Sequence, residues 1–191
     1  MKKILKTFCF ILFACYANCQ TLPLNSLEEP NTGGYLKDID NVLPFWEGTW
    51  KGTINNREYT FQFDTFLHHI YSFPNGDYYY IDRLVGKFKV VDLSTNQELY
   101  NDLAVTDFDA YKIKLLSYNQ YNGYSFGFFD DESHCGNIIE FKLIKNSSNL
   151  NQIEYVSFEY SDYIPALDCP YADQLDIPMF LPKVDLVLTR Q

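Results

Sequence analysis

The run Pro44-Phe45-Trp46-Glu47-Gly48-Thr49-Trp50-Lys51-Gly52-Thr53-Ile54 decides how this chain folds. Taken two at a time, Trp46, Gly48, Trp50, Gly52 and Ile54 fall on one face, and Glu47, Thr49, Lys51 and Thr53 on the other. Successive side chains of a strand point to opposite sides of a sheet, so the run predicts a β-strand with an apolar inside and a wet outside. Glycines between the tryptophans leave room where a barrel strand must bend.

The same alternation recurs outward from this strand. Beyond an Asn55-Asn56 turn, Tyr59, Phe61 and Phe63 alternate with Glu58, Thr60, Gln62 and Asp64, which predicts an antiparallel hairpin. Residues 66–77 lose the period and hold the turn sequence Pro74-Asn75-Gly76-Asp77. His68 and His69 lie there side by side; neighbours on a strand face opposite ways, so they read as surface residues rather than a chelating pair.

Residues 78–90 form the longest predicted strand, with Asp82, Leu84, Gly86, Phe88 and Val90 on one face and Arg83, Lys87 and Lys89 on the other. Asp82 is an acid on an apolar face, close to three tyrosines. Either a bulge turns it outward, or it is a buried carboxylate held by tyrosine hydroxyls or an arginine. A polar, irregular link over 94–109 leads to residues 110–116, where Tyr111, Ile113 and Leu115 alternate with Lys112 and Lys114. The inner faces of the later strands are Tyr124, Phe126 and Phe128; Ile139, Phe141 and Leu143; a segment of ambiguous register over 153–160; and Val184, Leu186 and Leu188. Residues 161–182 read as a proline-punctuated loop over one barrel end. About eight strands joined mostly by short turns predict an all-β, antiparallel up-and-down barrel, because closure hides the sheet edges.

The composition agrees. At 191 residues the chain has one domain's worth of sequence, with 47% hydrophobic and 18% aromatic residues. Residues 1–19 hold three lysines and no acid, so the remaining 12 basic and 25 acidic residues leave a net charge of −13. Nucleic acid and anionic membranes call for basic patches, so neither is an expected partner.

Met1-Lys2-Lys3 and the short apolar run after it read as a secretory signal cleaved after Cys19, too short to span a bilayer. A lipobox-like reading of Leu12-Phe13-Ala14-Cys15, with Cys15 as a lipid anchor, ranks below it because Phe13 is bulky. The expected divisions are 1–19 signal, 20–45 an extended arm with a short turn capped by Asp38, and 46–191 the barrel. Outside the signal stand Cys135 and Cys169, expected to pair in an oxidising compartment. Asp130-Asp131-Glu132-Ser133-His134-Cys135-Gly136 has metal-ligating side chains but reads first as a solvated loop tip.

Gly48-Thr49-Trp50 resembles the G-x-W signature of the lipocalin/calycin proteins. That resemblance implies a basic residue, here Arg190, packed over Trp50. Tyr35-Leu36-Lys37-Asp38, the 45–53 stretch, Asp82-x-Leu84-x-Gly86 and the tail Val187-Leu188-Thr189-Arg190 resemble a family of small exported Bacteroidota proteins, a domain of unknown function. This second resemblance implies export and a β-rich fold, without assigning catalytic residues. The expected function is non-enzymatic binding of a small apolar or amphipathic ligand at Tyr78, Tyr80, Asp82, Phe88, Tyr111 and Phe126. The alternative is a solid barrel acting as an interaction or structural component of the cell envelope. No nucleophile triad, H-E-x-x-H, phosphate loop or dinucleotide fingerprint is present, so no enzyme, cofactor or metal is expected. The expected state is a monomer without a transmembrane segment.

Overall fold

The computed structural model describes residues 20–119, 123–130, 135, 137–160, 169–171 and 179–191. The predicted signal, the segment from Asp131 to His134 with Gly136, and most of the proline loop lie outside these residues. The strands are β1 (Thr21–Pro23), β2 (Tyr35–Lys37), β3 (Gly48–Ile54), β4 (Arg57–Ser72), β5 (Tyr78–Asp92), β6 (Gln97–Asn101), β7 (Ile113–Asn119), β8 (Gly123–Asp130), β9 (Asn137–Lys145), β10 (Gln152–Tyr160) and β11 (Leu186–Arg190). Eight of them close a ring in the order β5-β4-β3-β11-β10-β9-β8-β7, with β7 returning to β5 through Val85↔Lys114 and Gly86↔Ile113. This is the antiparallel up-and-down barrel of eight strands that the alternation predicts. β1, β2 and β6 lie off the ring; β1–β2 and β2–β5 are parallel pairs.

The chain divides into two units, Met1–Val42 with Leu67–Asp82, and Leu43–Phe66 with Arg83–Gln191. The larger holds the barrel core. Its lumen contains a closed circuit of aromatic rings: Phe61 to Tyr155 (6.0 Å), Tyr155 to Phe141 (4.7 Å), Phe141 to Phe126 (5.6 Å), Phe126 to Phe63 (5.4 Å) and Phe63 back to Phe61 (6.3 Å). None of the five is more than 1% exposed. Offset or edge contacts at such distances add about 0.5–1.5 kcal/mol per pair beyond the burial itself. Tyr155 donates its hydroxyl to the Pro182 carbonyl at 2.9 Å, and burial raises its pKa.

At two positions, Trp46 and Gly48, the opening run differs from its reading. Trp46 is fully buried but precedes β3, following the 3-10 turn Leu43–Phe45, and Gly48 has φ +99°. Gly48 therefore serves a left-handed backbone conformation rather than inner-face room. Gly52 does supply room: a Cβ there would meet the Val187 carbonyl oxygen at 2.5 Å.

Trp50 is sealed by the last strand. Its indole donates to the Trp46 carbonyl at 2.9 Å, and the Arg190 guanidinium lies 4.2 Å from its ring while donating to the carbonyls of Glu47 and Phe45.

Three further expectations are corrected, and a fourth is explained. β4 runs on to Ser72, through residues where the apolar period breaks; His68 at φ +53° kinks it, which scrambles the alternation. The link over 94–109 contains β6 and a 3-10 turn, Phe108–Ala110. Val184 is 45% exposed and precedes β11 instead of facing inward with Leu186. In β10 the pairing slips between Val156 and Glu159, with Ser157 at φ +58°, which accounts for the ambiguous register there.

Candidate functional site

Tyr78, Tyr80 and Asp82 belong to the smaller unit. β2 brings Tyr35 alongside Tyr80 there, and a cluster of Leu36, Tyr79 and Ile81 backed by Leu22, Leu24 and Phe73 forms its apolar base. Asp82 is 3% exposed, so its charge requires partners. It has three: Oδ1 accepts from the Tyr35 hydroxyl at 2.5 Å and from the His68 amide at 2.9 Å, and Oδ2 accepts from the Asp38 amide at 2.8 Å. Of the two readings of this acid, the buried carboxylate held by a tyrosine hydroxyl is the one that forms.

The kink that spoils the β4 pattern is what aims the His68 amide at Asp82. The exposed His68 ring then stacks on Tyr80 at 3.9 Å, with Tyr35 edge-on at 4.7 Å. Burial and the hydrogen bond to Asp82 push the Tyr35 phenol up to about 12. Asp38 does cap a turn, its Oδ1 accepting from the Val42 amide at 2.9 Å.

In the same unit a hollow of about 320 Å³ opens between residues 29–32 and residues 73–79, and Tyr78 is one of its walls. Among its lining residues the Thr32 hydroxyl and the Asn75 amide both donate to the Asp77 carboxylate, each at 2.7 Å, and the Asp77 amide donates to the Asn75 side-chain oxygen at 3.0 Å.

Phe88, Tyr111 and Phe126 belong to the barrel unit. Phe88 and Phe126 are fully buried core residues; Phe88 lies against Phe61 (5.6 Å) and Tyr100 (4.4 Å). Tyr111 donates to Asp64 Oδ2 at 2.7 Å. Lys87 Nζ sits 3.2 Å from the same oxygen and donates to the Val105 carbonyl at 2.7 Å. Burial and Asp64 raise the Tyr111 pKa. This is a satisfied ion pair under a covering loop, and it explains how Lys87 stays 4% exposed.

A second hollow, about 660 Å³, is walled by Tyr100, Asp102, Val105 and Lys112. Its acid is already engaged: Asp102 accepts from the Phe88 amide at 2.6 Å and from the Tyr100 hydroxyl at 3.2 Å, while burial raises its pKa. Neither hollow is lined by the aromatic circuit of the lumen.

Cys135 and Cys169 are bonded, with Tyr160 and Tyr171 packed against the bridge. Among the described residues no group of three His, Cys, Asp or Glu gathers as metal ligands, and no helix is long and apolar enough to cross a membrane. Sequence reasoning missed Tyr35 and His68 as partners of Asp82; the only signal for either was the broken period around the paired histidines. The larger unit holds a closed antiparallel β-barrel core, and the smaller unit carries a polar and aromatic hollow. No family model, curated protein or solved structure matches the chain.

Proposed function

We propose that this is an exported, non-enzymatic binding protein that works through its outer surface, with its barrel serving as a solid scaffold. The closed circuit Phe61–Tyr155–Phe141–Phe126–Phe63 carries this reading, because five buried rings in mutual contact occupy the lumen where a lipocalin-type carrier holds its ligand. Of the two sequence expectations, the solid barrel is therefore favoured over the carrier. Export is supported by the Cys135–Cys169 bridge, since such bonds persist in oxidising compartments, and by the signal-like first 19 residues. The resemblance to small exported Bacteroidota proteins belongs to the same proposal.

Native mass spectrometry of protein purified from its own host tests it, together with titration by a fluorescent fatty acid. The expected results are an apoprotein mass and no saturable uptake of the probe. A stoichiometric apolar ligand, displaced by the fluorescent fatty acid, would overturn the proposal.

A further inference from the structure

We infer that the hollow of the smaller unit is a binding site for a neutral oligosaccharide. The inference rests on the surface-acting reading and names the ligand class. The first argument is the chemistry of the walls. Glu29 supplies acceptors and Asn31 an amide that both donates and accepts; Thr32, Asn75 and Asp77 bond to one another and present their remaining oxygen lone pairs; and Phe73 and Tyr78 supply aromatic surface. A sugar ring needs this combination: hydroxyls that both donate and accept, and a C–H face that packs on an aromatic ring.

The same walls reject other classes. Among the described residues no Lys, Arg or His lines the hollow, and two carboxylates do, so phosphates, sulfates and carboxylates meet repulsion. A divalent cation would need more free carboxylate oxygens, whereas both oxygens of Asp77 already accept hydrogen bonds. A wholly apolar ligand would cover the Glu29 carboxylate and the Asn31 side-chain amide without giving either a partner.

The second argument is preorganisation. Residues 31–34 are fixed by Gly33 N–H to the Tyr78 carbonyl (2.7 Å), Gly34 N–H to the Asn31 carbonyl (2.7 Å) and Tyr80 N–H to the Gly34 carbonyl (2.8 Å). The opposite wall is fixed by Phe73 N–H to the Asp77 carbonyl (2.8 Å) and Gly76 N–H to the Phe73 carbonyl (3.0 Å). Walls tied by their own backbones lose little freedom on binding, which matters for ligands that gain little from each contact. At about 320 Å³ the hollow is at the small end of ligand sites, suited to one or two sugar units of a longer chain.

The test uses the full chain, purified by export, with cellohexaose, maltohexaose, laminarihexaose and chitohexaose as probes. Backbone amide shifts are followed by NMR. At least one probe is expected to saturate with Kd of about 0.1–1 mM, moving amides of 29–34 and 73–79. Tyr78→Ala is expected to weaken that probe at least tenfold. Asn31→Ala, an exposed side chain, is the second variant and should weaken it severalfold with an unchanged amide spectrum elsewhere. Silence of all four probes at about 10 mM, or shifts confined to other residues, overturns the inference. So does saturation of the hollow by choline in place of the sugars, which would assign it to cations. An occupied lumen would instead defeat the solid-barrel reading and is seen separately, by mass.

Discussion

Replacing Asp82 tests the smaller unit most directly. Asp82 Oδ1 accepts two hydrogen bonds and Oδ2 one, from Tyr35, His68 and Asp38. An asparagine side chain at this position would keep an acceptor for Tyr35 and His68 but turn its NH₂ toward the Asp38 N–H, so one donor is orphaned. The expected cost of Asp82→Asn is about 1–2 kcal/mol, and Asp82→Ala, which orphans both amides, about 3 kcal/mol after allowing for non-additivity. The loss should be local, because every partner lies in the same unit. Native-state hydrogen exchange is the assay. In Asp82→Asn the Asp38 amide should exchange about 5–30 times faster while the His68 amide and the β8–β9 amides are unchanged. In Asp82→Ala both amides should speed up. Unchanged protection at residues 38 and 68 in the alanine variant would refute the account of the buried carboxylate.

Other outcomes follow from single contacts. Gly52→Ala should destabilise by about 1–3 kcal/mol in denaturant melts, since its Cβ would meet the backbone oxygen of Val187 at 2.5 Å. Arg190→Lys should lose about 1–3 kcal/mol by the same measurement, because an ammonium cannot reach both the Glu47 and Phe45 carbonyls from above Trp50. Reduction of Cys135–Cys169, which are 34 residues apart, should cost about 3–4 kcal/mol, read as a lowered denaturation midpoint in reductant. Tyr35 has a folded pKa of about 12, raised from 10.0, so its contribution to stability is complete below pH 10.0 and disappears as the pH rises toward 12. Comparing wild type with Tyr35→Phe across that window should show the difference vanish.

The barrel is legible in the sequence because its inner positions alternate without interruption: Trp50, then Phe61 and Phe63, then Phe126 and Phe128. What the alternation cannot carry is backbone irregularity. His68 and Ser157 adopt positive φ inside strands, a conformation uncommon for any residue but glycine, so no local signal marks the kinks. The smaller unit reads as an arm and a lost period, because it is assembled from residues near 22–37 and 67–82 that only the folded chain joins. Asp82 stands out because an acid on an apolar face is costly. Its partner Tyr35 does not, since it lies 47 residues away.

The pairing of β11 with β3 through Thr189↔Lys51 and Arg190↔Trp50 also has a temporal side. Synthesis delivers β3 first among the ring strands and β11 last, so the two neighbours are made at opposite ends of the nascent chain. Arg190 reaches back 143 residues to Glu47, and the length-dependent entropy of closing such a loop is about 4 kcal/mol. Until that seam shuts, Trp50 lacks its lid and β3 has an open edge. The ring therefore closes only when the last wall arrives, however early its other strands are made.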